Sequence, residues 1–200
     1  MGRKAVIAVV AVLGIACLGL ITYTFFASNE EGISELERLL FIEGSSQFLS
    51  AEEPFTAQEA PKLGYLAPAI KLTALDGKAY SLQDFKGKPT LLNFWATWCP
   101  SCRAEIGALQ AFYKQHQGQI QVIGINWGEH ASSIEKFLEG LNVTFPTLLD
   151  DRGTAFVSYQ LTGVPTSLFL DSGGVIRGIW LGPMTEAEIE AGFARFVEGL

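Results

Sequence analysis

Two cysteines separated by two residues, in the run Cys99-Pro100-Ser101-Cys102, are the residues of this chain best placed to do chemistry. The apolar run Thr90-Leu91-Leu92-Asn93-Phe94-Trp95 has strand length and leads straight into the pair, and a helix is expected from about Pro100 to His116. The thiols therefore sit where a strand hands over to a helix. On a first helical turn, side chains three apart share a face, near enough to join in a disulfide with little backbone movement. The first thiol also meets the free N–H groups and the positive end of the helix dipole, which stabilise a thiolate. Cys99 is the expected nucleophile. Cys102, one turn further in, is the expected resolving thiol, attacking the mixed disulfide that forms at Cys99.

Other uses of the pair fit less well. A zinc site needs two more ligands, yet the two histidines, His116 and His130, lie 14 residues apart, against the about 3–5 of a finger. A purely structural disulfide suits an oxidising compartment, but a bond closing so short a loop constrains little chain entropy. A peroxidase of the peroxiredoxin kind would want proline where Leu92 stands and Thr or Ser where Ala96 stands. No metal or other cofactor is expected beyond the redox disulfide Cys99–Cys102.

The elements that must hold this pair are legible from pattern. Ile70 and Leu72, a turn at Asp76-Gly77, then Ala79-Tyr80 predict a hairpin. Ser81 to Phe85 predicts a helical turn ended by Gly87. Ile120 to Asn126 is rich in branched residues and predicts a strand, Ser132 to Leu141 a helix, Thr147 to Leu149 an extended segment and Gly153 to Tyr159 a helix. Thr166 to Leu170 and Val175 to Leu181 flank Asp171-Ser172-Gly173-Gly174 as a second hairpin. Thr185 and Glu188 are spaced as a capping box for a last helix running to Val197. Strands alternating with helices, then a terminal hairpin, predict an α/β domain with a mixed sheet over residues 62–200.

The preceding 61 residues differ in kind. No residue from Ala5 to Phe26 is charged, and at about 1.5 Å per residue the run is long enough for a hydrocarbon core of about 30 Å. Arg3 and Lys4 precede it, Glu30 and Glu31 follow, so residues 1–27 are expected to form a single-pass anchor with a cytoplasmic N-terminus. A cleaved signal peptide would be shorter and would end on small residues where Phe25-Phe26 stand. Gly14-Ile15-Ala16-Cys17 faintly resembles a lipobox, but the apolar run continues beyond Cys17, which reads as an inert residue of the membrane helix. Residues 28–61 are acidic, with Ile33, Leu36, Leu39 and Leu40 at helical spacing, and read as a linker containing a short helix. Apolar residues at 48 % and charged residues at 18 % exclude a wholly disordered chain, and a net charge of −7 argues against a dedicated nucleic-acid binder.

Phe94-Trp95-Ala96-Thr97-Trp98-Cys99-Pro100-Ser101-Cys102 resembles the active-site stretch of the thioredoxin superfamily. The flanks are similar to its membrane-anchored TlpA/ResA-like branch: Ala67-Pro68, Leu75-Asp76-Gly77-Lys78, Phe85-Lys86-Gly87-Lys88-Pro89, Arg103-Ala104-Glu105, Phe145-Pro146-Thr147-Leu148-Leu149-Asp150 and Gly163-Val164-Pro165-Thr166. The resemblance runs from about Lys62 to Phe196. It implies a thioredoxin-like fold with an N-terminal β-hairpin and a helix-strand insertion from about Glu129 to Asp150.

The resemblance also implies roles. Val164-Pro165 matches the family's cis-proline, opposite the redox pair, where the proline keeps metals off the thiols and the backbone before it pairs with an extended substrate. Trp98 belongs with Val164 and Pro165 on the substrate side. Glu105 matches the branch's acidic residue near the thiols and would exchange a proton with Cys102. The sequence departs from the pattern at Asn93, where plain thioredoxin has a buried Asp, at Ser101, where most relatives carry proline, and at Gly107.

The implied activity is that of an extracytoplasmic, membrane-tethered thiol–disulfide oxidoreductase that reduces partner proteins, for example apo-cytochrome c during cytochrome c maturation, and is recharged by a membrane electron donor. A protein disulfide oxidase or isomerase, and a non-catalytic module that only docks partners, are the alternatives.

Overall fold

The computed structural model describes residues 48–50 and 56–197. The apolar run of residues 5–26, Cys17 and the helical pattern over residues 33–40 lie outside them. Contacts divide the chain into residues 1–45 and 46–200, and everything described belongs to the second unit. Among the described residues, no helix is long and apolar enough to cross a membrane.

Ten strands are present among the described residues: β1 Phe48–Ser50, β2 Thr56–Glu59, β3 Tyr65–Leu66, β4 Lys71–Ala74, β5 Ala79–Ser81, β6 Thr90–Trp95, β7 Gln121–Trp127, β8 Thr147–Asp150, β9 Thr166–Leu170 and β10 Ile176–Leu181. The helices are α1 Pro100–Gln115, α2 Ala131–Glu139, α3 Thr154–Ser158 and α4 Glu186–Phe196, with a 3₁₀ turn at Leu82–Phe85. Eight strands make one sheet in the order β1-β10-β9-β6-β7-β8-β4-β5, and β2 pairs with β3 apart from it. Two strands, β1 and β2, fall within residues 28–61, the stretch whose composition reads as linker. With three and four residues apiece they carry too little alternation to register as strands.

β6 lies at the centre because its sequence suits nowhere else. All six of its residues are buried, as a strand covered on both faces requires. It runs parallel to β7, with Leu92 opposite Ile123, and antiparallel to β9, with Asn93 opposite Ser167. The sheet is therefore mixed, and the domain is of the α/β class.

The period of two along β6 divides the core. Leu91 and Trp95 point into a layer with Ile106, Leu109 and Phe112 of α1, Ile134 of α2 and Phe193 of α4. Leu92 and Phe94 point into the opposite layer, with Ile123, Leu168, Tyr159 and Phe85. Asn93 shares the face of Leu91 and Trp95, so a polar side chain is aimed at the buried side of α1. That placement builds the site.

Most elements match the sequence reading within one or two residues. Ser81 and Thr185 each accept a hydrogen bond from the backbone and open their helices with the reciprocal capping box, closed by Asp84 and Glu188. The hairpin of β4 and β5 turns at Gly77, whose φ of 82° favours glycine. The helix and strand between residues 129 and 150 are α2 and β8. β8 extends the sheet parallel to β7 and antiparallel to β4.

Candidate redox site

Thr90–Trp95 ends at the sheet's carboxyl edge, and Ala96 to Trp98 make the turn into α1. Cys99 is the N-cap of α1, with extended backbone (φ −86°, ψ 113°) and Pro100 in the first turn. Its sulfur takes the place of the usual capping oxygen, accepting the Cys102 N–H at 3.2 Å. Cys99 and Cys102 form a disulfide with Cα atoms 5.3 Å apart. Once the bond is reduced, the same N–H points at a thiolate, where hydrogen bonding and the helix dipole both favour charge. Ser101 Oγ lies 3.3 Å from Cys99 Sγ and offers a second donor.

The peptide bond between Val164 and Pro165 is cis. It precedes β9, and Val164 O lies 3.5 Å from Cys99 Sγ. The structure thus brings Cys99, Cys102, Val164 and Pro165 to one place, although 65 residues separate Cys99 from Val164. Trp98 stands at the rim, 60 % exposed, while Cys99 is 4 % exposed and Cys102 is fully buried. Among the described residues, no group of three or more His, Cys, Asp or Glu could hold a metal ion.

Glu105 lies one turn beyond Cys102 on the buried face of α1 and is only 1 % exposed. Read alone it would pass for a solvated helix carboxylate, but the fold encloses it. Oε1 accepts from Asn93 Nδ2 at 2.8 Å and Oε2 from the Met184 N–H at 3.0 Å. Burial raises its pKa to about 7, against the lowering pull of those two donors. A carboxyl group so poised is half ionised near neutral pH and can take up or release a proton there. Asn93 also donates to Ser167 Oγ at 2.9 Å. Its Oδ1 is buried with no partner among the described residues.

Glu129 was not visible in the sequence as a site residue. It lies between β7 and α2, and three donors converge on it. Thr97 N–H reaches Oε2 at 2.6 Å, Thr97 Oγ1 reaches Oε1 at 2.5 Å, and Asn126 Nδ2 reaches Oε2 at 2.8 Å. The carboxylate thereby ties the redox turn to the end of β7. Nothing in the local sequence marks it, since its partner Thr97 is 32 residues away. Trp127 is a second surprise. Its ring meets Trp98 edge-on at 5.8 Å and stacks on Phe156 at 4.0 Å. Asp150 fixes Phe156 by accepting its N–H at 2.9 Å.

A family model described as AhpC/TSA matches residues 63–179. The thiol-disulfide oxidoreductase ResA of Geobacillus kaustophilus is 35% identical over 137 residues, which are 68% of this chain and 79% of that protein. The thioredoxin-like protein YneN of Bacillus subtilis is 39% identical over 130 residues, 64% of this chain and 76% of that one. Among solved structures, StoA from Bacillus subtilis superposes with a TM-score of 0.56 at 29% identity, over 62% of this chain and 96% of that one. StoA therefore shares the fold of the described domain.

Proposed function

This chain belongs to the AhpC/TSA family and is a thioredoxin-like thiol–disulfide oxidoreductase; from that premise we propose that it reduces disulfides in partner proteins outside the cytoplasm, tethered to the membrane by residues 5–26. The observation that carries the reducing chemistry is the pairing of a capped thiol with a buried carboxyl group one turn from its partner thiol. In the dithiol form, Cys99 as thiolate attacks a substrate disulfide. One substrate sulfur bonds to Cys99 and the other leaves as a thiolate, which takes a proton. Cys102 then attacks Cys99 Sγ, giving its proton to Glu105 as the second substrate thiolate departs. Two electrons pass to the substrate. The first departing thiolate is protonated by solvent and the second by the proton that Glu105 received, and the Cys99–Cys102 disulfide remains for a membrane dithiol donor to reduce.

In this reading Trp98 and Val164 flank the incoming chain, and Pro165 keeps metals off the thiols. Apo-cytochrome c is a suitable substrate, because its haem-attachment cysteines must be reduced outside the cytoplasm. The charges flanking residues 5–26 support the topology. Protease added to intact spheroplasts should digest the redox domain, and a protected domain would refute the placement.

One contact favours a second reading. The Ser101 hydroxyl beside Cys99 Sγ can stabilise the thiolate, which favours the reduced form and makes the protein more oxidising. The midpoint potential of the full chain, equilibrated in a glutathione redox buffer, separates the two. A reductant should fall nearer the about −270 mV of thioredoxin than the about −120 mV of a strong oxidant. A value near the latter, with rapid oxidation of reduced unfolded protein, would establish the oxidase reading instead.

A further inference from the structure

Beside the redox turn lies a groove of about 270 Å³ lined by Trp98, Trp127, Gly128, Asp151, Arg152 and Gly153. It is smaller than the about 300–1,000 Å³ of sites for whole small molecules and suits a single large side chain. Its construction is specific. Trp127 is held from behind by the Phe156 stack at 4.0 Å and meets Trp98 edge-on at 5.8 Å, so two indoles form a fixed aromatic wall. Two glycines belong to the same lining, Gly128 at φ 73° and Gly153 at φ 69°. A Cβ at Gly153 would come within 3.1 Å of Trp127 Nε1, a tight contact, and its φ also favours glycine, whereas Gly128 has open space where a side chain would be. Asp151 and Arg152, both exposed, bring opposite charges to the rim, which leaves the groove without a net preference for a charged guest.

The groove borders the redox turn at Trp98, the exposed chain neighbour of Cys99. A substrate chain whose disulfide reaches Cys99 between Trp98 and Val164 can extend from Trp98 over this wall. From Trp98 the rings step 5.8 Å to Trp127 and 4.0 Å on to Phe156, within the reach of about three extended residues.

We propose that this groove receives an aromatic side chain of the substrate protein, placed within three residues of the cysteine that reacts with Cys99. Trp98 and Trp127 offer edge-to-face and stacked contacts, and the Arg152 guanidinium at the rim can lie over the guest ring as a cation. The proposal rests on the thiol–disulfide oxidoreductase reading and adds to it a preference among substrates.

The test uses the reduced full-length protein and a set of short peptides, each with one cysteine joined to the same chromogenic thiol. Cys99 attacks the peptide sulfur and releases that thiol, so each reaction is a balanced exchange that needs no further reductant. Phe or Ala is placed at one, two or three positions on either side of the cysteine. Every rate is divided by the same variant's rate with the symmetric disulfide of the chromogenic thiol, which registers the redox chemistry alone. In at least one position the Phe peptide should react about tenfold faster than its Ala counterpart. That ratio should fall toward one in Trp127→Leu, and it should also fall in Arg152→Ala, which alters only an exposed side chain. A wild-type ratio near one at every position, or a ratio untouched in either variant, overturns the proposal. Failure to react with the symmetric disulfide would instead refute the oxidoreductase reading itself.

Discussion

Asn93 and Glu105 meet in the interior, Nδ2 donating to Oε1 at 2.8 Å, although one stands in the central strand and the other in the helix that begins at the nucleophile. The contact joins sheet to helix directly beneath the redox turn. It also leaves a carboxyl group enclosed at the point where ionisation is costly, because two donors only partly replace the water that Glu105 has lost. The fold accepts that cost in exchange for a proton acceptor within one helical turn of Cys102.

The first consequence is a pH-dependent stability with a definite sign. Glu105 has its pKa raised from 4.5 to about 7 on folding, so between those values the native state holds a proton that the unfolded chain has released. Its favourable contribution is complete below about pH 4.5 and is lost as pH rises through about 7, by up to about 3 kcal/mol. Glu105→Gln removes the ionisation, and a half-turn of the Asn93 amide would let its otherwise unpartnered Oδ1 accept from the new amide. Denaturant unfolding at pH 5 and pH 8 should show the variant gaining relative to wild type at the higher pH. A gap that does not change with pH would refute the assignment.

Asn93→Ala isolates the same bond from the other side. Without the donor to Oε1, the ionised form of Glu105 loses one of its two hydrogen bonds. Its pKa should therefore move above the wild-type value of about 7. A carboxyl-carbon NMR titration reads this directly, and the pH profile of Cys102 reactivity should move in the same direction.

Glu129 should behave as the anchor of the redox turn. Glu129→Ala leaves the Thr97 N–H, the Thr97 hydroxyl and the Asn126 amide without their acceptor. A loss of about 1–3 kcal/mol is expected, together with slower exchange at Cys99. Glu129→Gln keeps one carbonyl oxygen for the two N–H donors and presents an amide that can donate to the Thr97 hydroxyl. It should recover most of both losses, as measured by urea unfolding and by exchange with a small disulfide.

Gly178 reports on packing away from the chemistry. A Cβ there would lie 2.5 Å from Phe196 Cδ2 and 2.8 Å from Cε2, so β10 and α4 approach as closely as they do only because the strand carries glycine at this point. Gly178→Ala should destabilise the domain by about 1–3 kcal/mol through overpacking. Exchange kinetics at Cys99 should stay as in wild type. An unchanged unfolding midpoint would show that α4 can shift away at little cost.

The amino-acid sequence by itself determined the reacting pair and most of the elements, the short strands β1 and β2 excepted. Periodicities of two and 3.6, the turn residues at Gly77 and Gly174, and the capping boxes at Ser81 and Thr185 are local, so they could be read within a window of a few residues. The placement of Cys99 and Cys102 at a strand-to-helix junction is local in the same sense. What only the tertiary structure decided is which distant side chains surround that pair. The Asn93–Ser167 bond spans 74 residues, the Glu105–Met184 bond 79, and the Thr97–Glu129 pair 32. The first and third arise because strands far apart in sequence are neighbours in the sheet, β6 lying between β7 and β9. The second arises because Met184 stands where the chain turns from β10 into α4, against α1. The burial of Glu105, and with it a carboxyl group that titrates near neutrality, follows from that strand order and from α4 folding back over α1. No local pattern of residues encodes either.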